Sequence, residues 1–348
     1  MPIEMSCLPV VGKKEWIARL VVVVLLAAVI TIPMGAWWLR SQDIIVRARM
    51  AETGGWTPEN LTGEVGRPLQ LLLISDDVMH GFAVGQSHQP AVDLKPGEMT
   101  EVTLTFDRPG KYTFYCTRWC SVNHWRMRGT IEVTGPEAKT EAVIPPLYVT
   151  LGLDIDAEHH SEVVPERKPS AARGSALLAD FSLKPLITEY LITDYYLSHS
   201  PVELWKSLRT ESRLKHSSDK DLWDLVALVW QSNSTSQELE EGRRLYTANC
   251  AACHGEQGTG DGVFAAELDK PKIGEHTGTQ AGEMTARPAD LTELGHMLSA
   301  SPTHLQGKIL RGGMGTGMPY WGPIFTDEQT WALVAYLWTF QFEMEDQP

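Results

Sequence analysis

The chain has 348 residues, 43% of them hydrophobic and 21% charged, which suits two or three globular domains and argues against a disordered protein. Lys and Arg number 30 against 44 Asp and Glu, a formal net charge of −14. This excess of carboxylates argues against a nucleic-acid binder, whose affinity depends on cations that meet phosphates. The 5 cysteines are too few for a disulfide framework, but two close pairs indicate two sites built on sulfur.

An uncharged stretch near the N-terminus predicts a membrane anchor. Residues 20–38 read LVVVVLLAAVITIPMGAWW, close to the roughly 20 apolar residues that cross a hydrocarbon core. The alternative is a cleaved signal peptide, but the stretch is too long for one and no small-residue cleavage site follows it. We predict a cytoplasmic N-terminus at residues 1–15 and a single transmembrane helix at residues 16–40.

The next segment has the pattern of a small antiparallel β-sandwich. Its short runs are rich in β-branched and aromatic residues and are separated by Pro and Gly turns. These runs are LQLLLI (69–74), EVTLTF (101–106), KYTFYC (111–116) and GTIEVTG (129–135). We therefore place an all-β domain at residues 50–136.

Candidate metal ligands fall at the ends of these strands. They are His80, Cys116, Cys120, His124 and Met127. Thiolates combined with imidazole and a thioether suit copper, and since a blue single-copper site needs one cysteine, the second cysteine favours a binuclear centre. A zinc site and a disulfide are the alternatives, but zinc has no use for Met127 and a disulfide leaves both histidines unexplained.

The stretches SDDVMHGFAV (75–84) and LKPGEMTEVTLTFDRPGKYTFYCTRWCSVNHWRMRGTIEV (94–133) resemble the cupredoxin domain of subunit II of haem–copper oxidases. The resemblance implies a mixed-valence CuA centre bridged by two thiolates, and a multi-helix haem–copper subunit I as partner. The implied ligands are Cys116, Cys120, His80, His124, Met127 and the backbone carbonyl of Arg118. Most of the family has two spanning helices, and a single one is typical of the smaller B-family oxidases.

A second sulfur site is predicted at residues 250–254. Cys250-Ala251-Ala252-Cys253-His254 is the C-x-x-C-H attachment sequence of c-type haem, in which both cysteines form thioethers and the histidine becomes the proximal iron ligand. A chance match or a redox C-x-x-C is the alternative. The amphipathic helix pattern before the motif and the Gly-rich loop after it favour haem.

The sixth iron ligand is expected downstream, in GGMGTGMPYWG. Met318 is favoured over Met314 because its loop resembles the G-x-M-P segment of class I cytochromes c. A methionine opposite a histidine raises the reduction potential, which suits electron carriage. The competitors His276, His296 and His304 are expected at the surface.

The middle of the chain repeats part of the C-terminal region without its haem motif. SSDKDLWDLVALVW (217–230) aligns without gaps on FTDEQTWALVAYLW (325–338), and HSPVELWKSLR (199–209) echoes ASPTHLQGKILR (300–311). We predict a linker at residues 137–171, a degenerate haemless cytochrome c-like domain at 172–232 and a cytochrome c domain at 236–348, both all-α. Convergence of two amphipathic helices is the alternative. His159, His160 and His199 could in principle bind a metal, but solvated connector and cap positions are favoured.

Together these features predict an electron-entry subunit of a membrane haem–copper terminal oxidase. Electrons would pass from an external donor, such as a soluble cytochrome c or another periplasmic carrier, through haem c and CuA to a catalytic subunit that reduces O2. No catalytic residue is expected in this chain. Because haem c is attached outside the cytoplasmic membrane, the globular domains are expected on its periplasmic side. The alternatives are the equivalent subunit of a CuA-type nitric oxide reductase and a stand-alone membrane-anchored carrier.

Overall fold

The computed structural model describes residues 13–40, 44–87, 89–121, 123–136, 144–178, 184–268, 287–313 and 317–344. Its first element is helix α1 (Lys13–Arg40). The described side chains of α1 are those of residues 14–29, 31 and 32, and all of these except Ala28 are exposed. Across the described residues no helix is both long and apolar enough to cross a membrane, so the transmembrane helix at 16–40 stays a prediction.

Two β-sheets pack face to face after α1. In the described chain the strands are β1 (Ile44–Ala48), β2 (Trp56–Thr57), β3 (Asn60–Glu64), β4 (Leu69–Ser75), β5 (His80–Val84), β6 (Val92–Leu94), β7 (Met99–Leu104), β8 (Gly110–Tyr115) and β9 (Arg128–Thr134). One sheet has the order β2-β1-β4-β7 and the other β3-β9-β8-β5-β6. The predicted β-sandwich is therefore present.

The sandwich is less purely antiparallel than predicted, and it begins earlier. β1 pairs parallel with β4, with Ile44 opposite Leu71, and β3 pairs parallel with β9. Because β1 lies inside a sheet, the all-β domain starts before the predicted boundary at residue 50. Its core centres on Trp56, whose ring meets the edges of Phe82 and Phe114 at centroid distances of 5.7 and 5.5 Å.

The rest of the described chain is helical. The helices are α2 (Leu147–Thr150), α3 (Ala171–Leu177), α4 (Lys184–Thr188), α5 (Thr193–Ser198), α6 (Pro201–Thr210), α7 (Asp219–Ser232), α8 (Ser236–Asn249), α9 (Ala251–His254), α10 (Ala265–Leu268), α11 (Leu294–Met297), α12 (Pro302–Arg311) and α13 (Asp327–Leu337). Helices α3 to α9 and α11 to α13 share one continuous apolar core. In it Trp230 of α7 packs against Trp338 and Phe342, which follow α13, at 5.8 and 6.2 Å.

The repeat seen in the sequence corresponds to a repeated helix pair. α7 and α13 begin one residue after Ser218 and Thr326, aligned positions that both form a capping box. Helix α3 crosses α7 at Gly174, where an added Cβ would lie 2.1 Å from the carbonyl oxygen of Asp224. In the same way, a Cβ on Gly242 of α8 would lie 2.0 Å from the carbonyl of Ala332, the residue of α13 that aligns with Asp224.

The predicted linker is packed in its described part, residues 144–171. Ile155 is buried, and Asp156 forms ion pairs with Lys308 and Arg311 of α12. Residues 144–171 are called the connector below. The connector packs on the C-terminal helices through contacts such as these. Its Pro- and charge-rich composition did not predict that packing.

Candidate metal and haem sites

The copper-type ligands predicted from the sequence come together at one end of the sandwich. His80 opens β5, Cys116 follows the last residue of β8, and Met127 immediately precedes β9. Since β5, β8 and β9 are adjacent in one sheet, their ends converge. The loop between β8 and β9 turns back through a short 3-10 helix, His124–Arg126, which directs His124 into the same space.

The sulfur and nitrogen atoms lie close enough to share metal ions. The Cys116 Sγ is 3.9 Å from the Cys120 Sγ and 3.8 Å from His80 Nδ1. The Cys120 Sγ lies 3.3 Å from the Met127 Sδ. His80, Cys116 and Cys120 form, within the described chain, a group whose ligand atoms all lie within 4.8 Å of one another.

Arg118 contributes its backbone rather than its charge. Its carbonyl lies 3.3 Å from the Cys116 Sγ and accepts a hydrogen bond from the Cys120 N–H at 2.7 Å. The guanidinium turns outward and donates to Asp93 at 2.8 Å. The Arg118 carbonyl is therefore held inside the loop, while the guanidinium of Arg118 is paired with Asp93 outside it.

The two histidines present the nitrogens that a metal would need. The Nε2 of His80 pairs with the Asp77 carboxylate at 2.7 Å, which leaves Nδ1 facing the sulfur atoms. His124 is only 3% exposed, and neither of its ring nitrogens has a hydrogen-bond partner among the described residues. Because buried polar atoms are nearly always satisfied, this orphaned imidazole fits a metal ligand. The site therefore fits a soft, thiolate-binding ion such as copper.

One of the two thiols already favours its charged form without a metal. The hydrogen bond that they share lowers the pKa of Cys116 and raises the pKa of Cys120. Burial opposes the protonation of His80, but hydrogen bonds to Cys116 and Asp77 raise its pKa overall. One thiolate is thus prepared for metal binding, and a bound cation would favour the second.

The C-x-x-C-H motif lies at the end of α8 and forms α9. Cys250 and Cys253 are half-buried free cysteines. The ring of His254 donates from Nδ1 to the Ala289 carbonyl at 3.0 Å, so its Nε2 is the nitrogen left for an iron. Gly255 follows at φ +80°, a left-handed conformation that turns the chain away directly after the histidine. These residues fit a covalently attached haem.

Met318 is half-buried and packs against the helical core in the loop that follows α12. Met314 and His276 lie outside the described residues. The expectation that His304 is a surface residue is wrong, because the connector covers it and leaves it 8% exposed. His296 is exposed, as expected.

A tryptophan that the sequence analysis missed joins the two sites. Trp119 stands between the two cysteines, and its ring lies 3.9 Å from the ring of His124. Its indole N–H donates to the Ala248 carbonyl, two residues before Cys250, at 2.9 Å. Its ring also lies 5.5 Å from Phe264, whose N–H is bonded to Ala252 inside the haem motif. An aromatic residue between two ligand cysteines was the signal available in the sequence.

Further contacts fix the sandwich against the C-terminal helical region. Arg128, next to Met127, donates to the Tyr320 carbonyl at 2.8 Å, two residues after Met318. Gln86, just beyond β5, makes backbone and side-chain hydrogen bonds to Ile324 at 2.9 Å and Gly322 at 2.8 Å. Both predicted metal sites therefore border the same junction.

Comparison with known proteins identifies two segments of the chain. Residues 59–134 match the family model of the cytochrome c oxidase subunit II periplasmic domain, and residues 239–341 match that of cytochrome c. Two subunits 2 of cytochrome c oxidase from Thermus thermophilus are 37% identical over 79 residues, which is 23% of this chain and 58% and 46% of those proteins. The chain thus spans about half the length of the curated relatives it matches.

Solved structures resemble the β-domain at low identity. The periplasmic domain of subunit II of cytochrome oxidase of Bradyrhizobium japonicum is 17% identical, with a TM-score of 0.24 over 27% of this chain and 84% of that one. Reduced auracyanin from Roseiflexus castenholzii is 18% identical, with a TM-score of 0.23 over 27% and 97%. Residues 59–134, within the all-β domain, thus match the cytochrome c oxidase subunit II family, and residues 239–341, within the helical region, match the cytochrome c family.

Proposed function

We propose that this chain is the electron-entry subunit of a membrane haem–copper terminal oxidase. It takes electrons from an external donor, such as a soluble cytochrome c, and delivers them to a separate multi-helix subunit that reduces O2. The matches to subunit II of cytochrome c oxidase and to cytochrome c support this assignment. Residues 16–40 would anchor the protein in the membrane with its globular part on the periplasmic side.

The residues of the two sites would hold one-electron carriers. The proposed copper ligands of a binuclear CuA centre are Cys116, Cys120, His80, His124, Met127 and the carbonyl of Arg118. The proposed haem c residues are Cys250 and Cys253 for the thioethers and His254 and Met318 for the iron. Bound copper and haem supply reversible one-electron chemistry.

The residues around the proposed copper site favour such chemistry. The segment 116–127, between β8 and β9, is called the copper loop below. Met127 is 1% exposed, and the Trp56 indole donates to its carbonyl at 3.0 Å. Asp77 orients His80 and also accepts from the Met50 N–H at 2.8 Å. His80 and Met127 are therefore buried and held by hydrogen bonds with neighbouring residues, and we expect them to change position little when the charge of the site changes.

The contact made by Trp119 is the observation that carries the proposal. One indole touches a predicted copper ligand and is hydrogen-bonded two residues from a predicted haem cysteine. A haem held in the same chain as the copper site would act as a tethered electron donor. Its effective concentration at the copper site would be higher than that of a diffusing donor. Such an arrangement has a purpose in an electron conduit and none in a protein whose two sites work separately.

The copper assignment is tested by Cys120→Ser in the full chain. We expect the variant to lose the mixed-valence copper EPR signal and to keep its haem, because serine cannot bridge two copper ions. Cys7→Ser, which changes a cysteine outside both pairs, is the matched control and should leave the signal intact. An unchanged signal in Cys120→Ser would show that the ligand set is wrong.

The role in respiration is tested on the protein as isolated from its membrane. We expect it to co-purify with a multi-helix haem subunit, and the complex to consume O2 when a soluble cytochrome c is supplied. Consumption of nitric oxide instead of O2 would assign the chain to a nitric oxide reductase. Isolation without a partner subunit would favour a stand-alone electron carrier.

A further inference from the structure

Four histidines meet where the connector packs on the C-terminal helices, away from both sites described above. His159 and His160 belong to the connector, His296 to α11 and His304 to α12. The ring of His159 lies 4.2 Å from that of His304 and 5.8 Å from that of His296, centroid to centroid. The rings of His160 and His296 are 5.0 Å apart. We call these four residues the histidine cluster.

Three rings of the histidine cluster have a nitrogen free for a ligand. His159 and His296 donate from Nδ1 to the carbonyls of Ala157 at 3.1 Å and of His159 at 2.7 Å, since a carbonyl can only accept. This leaves Nε2 available on both rings, and imidazoles that bind metals commonly donate their other N–H to a carbonyl. The Nε2 of His304 is buried and has no hydrogen-bond partner in the described chain.

The buried ring is held within the histidine cluster. His304 is only 8% exposed, and its ring centroid lies 4.2 Å from that of His159. The adjacent carboxylate, Asp156, is occupied by Lys308 and Arg311.

The backbone holds the two sides of the histidine cluster together. The Ser161 N–H donates to the Gly295 carbonyl at 3.1 Å, next to His296. Gly295 also makes room for His160, because a Cβ there would lie 2.4 Å from its Nε2. The rings are therefore brought together by main-chain contacts and not by chance rotamers of exposed side chains.

We propose that His159, His296 and His304 bind one divalent transition-metal ion of the zinc type, which ties the connector to the C-terminal helices. Imidazole nitrogens suit such ions, and a set of three leaves one position open for water. At the proposed copper site, ligand atoms of described residues already converge within 4.8 Å. Binding of the ion would bring the ring nitrogens of the histidine cluster together by rotation of His159, which is half-buried, and of His296, which is exposed.

The test is a zinc titration of the full chain in detergent, with haem attached, copper loaded and any affinity tag removed. A competing chromogenic chelator reports the zinc bound beyond the copper loop. We expect one tight zinc site in the wild-type protein and a loss of affinity of about tenfold or more in His159→Ala and in His296→Ala. His216→Ala changes an exposed histidine outside the cluster and should bind as the wild type does.

Thermal unfolding gives a second readout. Because a ligand that binds only the folded state stabilises it, zinc should raise the unfolding temperature of the wild type and of His216→Ala but not of the two cluster variants. Retention of the haem and copper spectra shows that the variants are folded. The proposal is overturned if the wild type binds no additional zinc, or if His159→Ala and His296→Ala bind it with wild-type affinity. It does not depend on the proposed electron transfer.

Discussion

Trp119 is the side chain on which the two halves of the molecule depend most directly. Its ring lies 3.9 Å from that of His124, and its N–H donates to the Ala248 carbonyl. The ring and the N–H therefore serve different partners. Replacing them separately distinguishes contact with the copper loop from docking of the haem-motif region.

We predict that Trp119→Ala slows electron transfer from the haem-motif region to the copper loop several-fold, with copper and haem contents unchanged. Trp119→Phe, which keeps a ring beside His124 but loses a hydrogen bond worth about 1 kcal/mol, should have a smaller effect. Flash reduction of the haem followed by absorbance changes at the copper site measures the rate.

Trp125→Ala is the control for this prediction, because Trp125 lies on the same loop and its ring is covered by the guanidinium of Arg126 at 5.0 Å. Equal rates in Trp119→Ala and Trp125→Ala would exclude Trp119 as the link between the sites.

The cysteines and His124 were predictable because they lie close together in the chain, and ligand chemistry limits what such a set can bind. His80 is remote in sequence, but it opens a strand, and its position followed from the β-pattern. Trp119 was not predicted because its partner Ala248 is 129 residues away. The burial of His304 was mispredicted for the same reason, since the segment that covers it has the composition of a solvated linker.

At the scale of elements, the helical region is built from two similar crossings. Gly174 of α3 meets α7, and Gly242 of α8 meets α13, at aligned carbonyls. The starts of α7 and α13 could be predicted from their repeated capping sequence and amphipathic pattern. The helices that cross them could not, because α3 is short and the match between the two glycines appears only once the helices are packed.

We predict that Gly242→Ala and Gly174→Ala each lower the free energy of unfolding of the helical region by about 1–3 kcal/mol, the usual cost of overpacking. A Cβ in either place would contact a backbone carbonyl, which cannot move as a flexible side chain can. Denaturant unfolding followed by helical circular dichroism measures the change.

The control for the glycine variants is Gly63→Ala in β3, where an added Cβ would meet Leu69 and Val133 at 3.8 Å, an ordinary contact distance. If Gly242→Ala lowers the free energy of unfolding and Gly174→Ala does not, then the crossing of α3 and α7 is loosely packed. The two crossings would then not be structurally equivalent.

At the scale of the whole molecule, the sandwich and the C-terminal helices are held by a polar junction. Arg128 combines its hydrogen bond to Tyr320 with contacts over the rings of Tyr320 and Trp321, at 4.9 and 5.5 Å. Burial lowers the pKa of Arg128, so the charge is partly removed from water in order to make these contacts. A buried guanidinium without its hydrogen-bond acceptor would raise the free energy of the folded state.

We predict that Arg128→Ala weakens docking by about 1.5–3 kcal/mol, the range for a hydrogen bond to a charged group, and separates the unfolding of the two regions. Copper and haem absorbance, recorded in one denaturant titration, report on each region. Arg126→Ala on the same loop should leave both midpoints unchanged. Unchanged midpoints in Arg128→Ala would show that this junction adds nothing to stability.

The continuous core of α3 to α9 and α11 to α13 limits how the haem-motif region can be handled. Trp230, which comes before α8, fills space between Trp338 and Phe342 after α13. A fragment cut at residue 236 would leave those two aromatic rings facing solvent. Anyone grafting the region of α8 to α13 onto another protein must therefore transplant helices α3 to α7 with it.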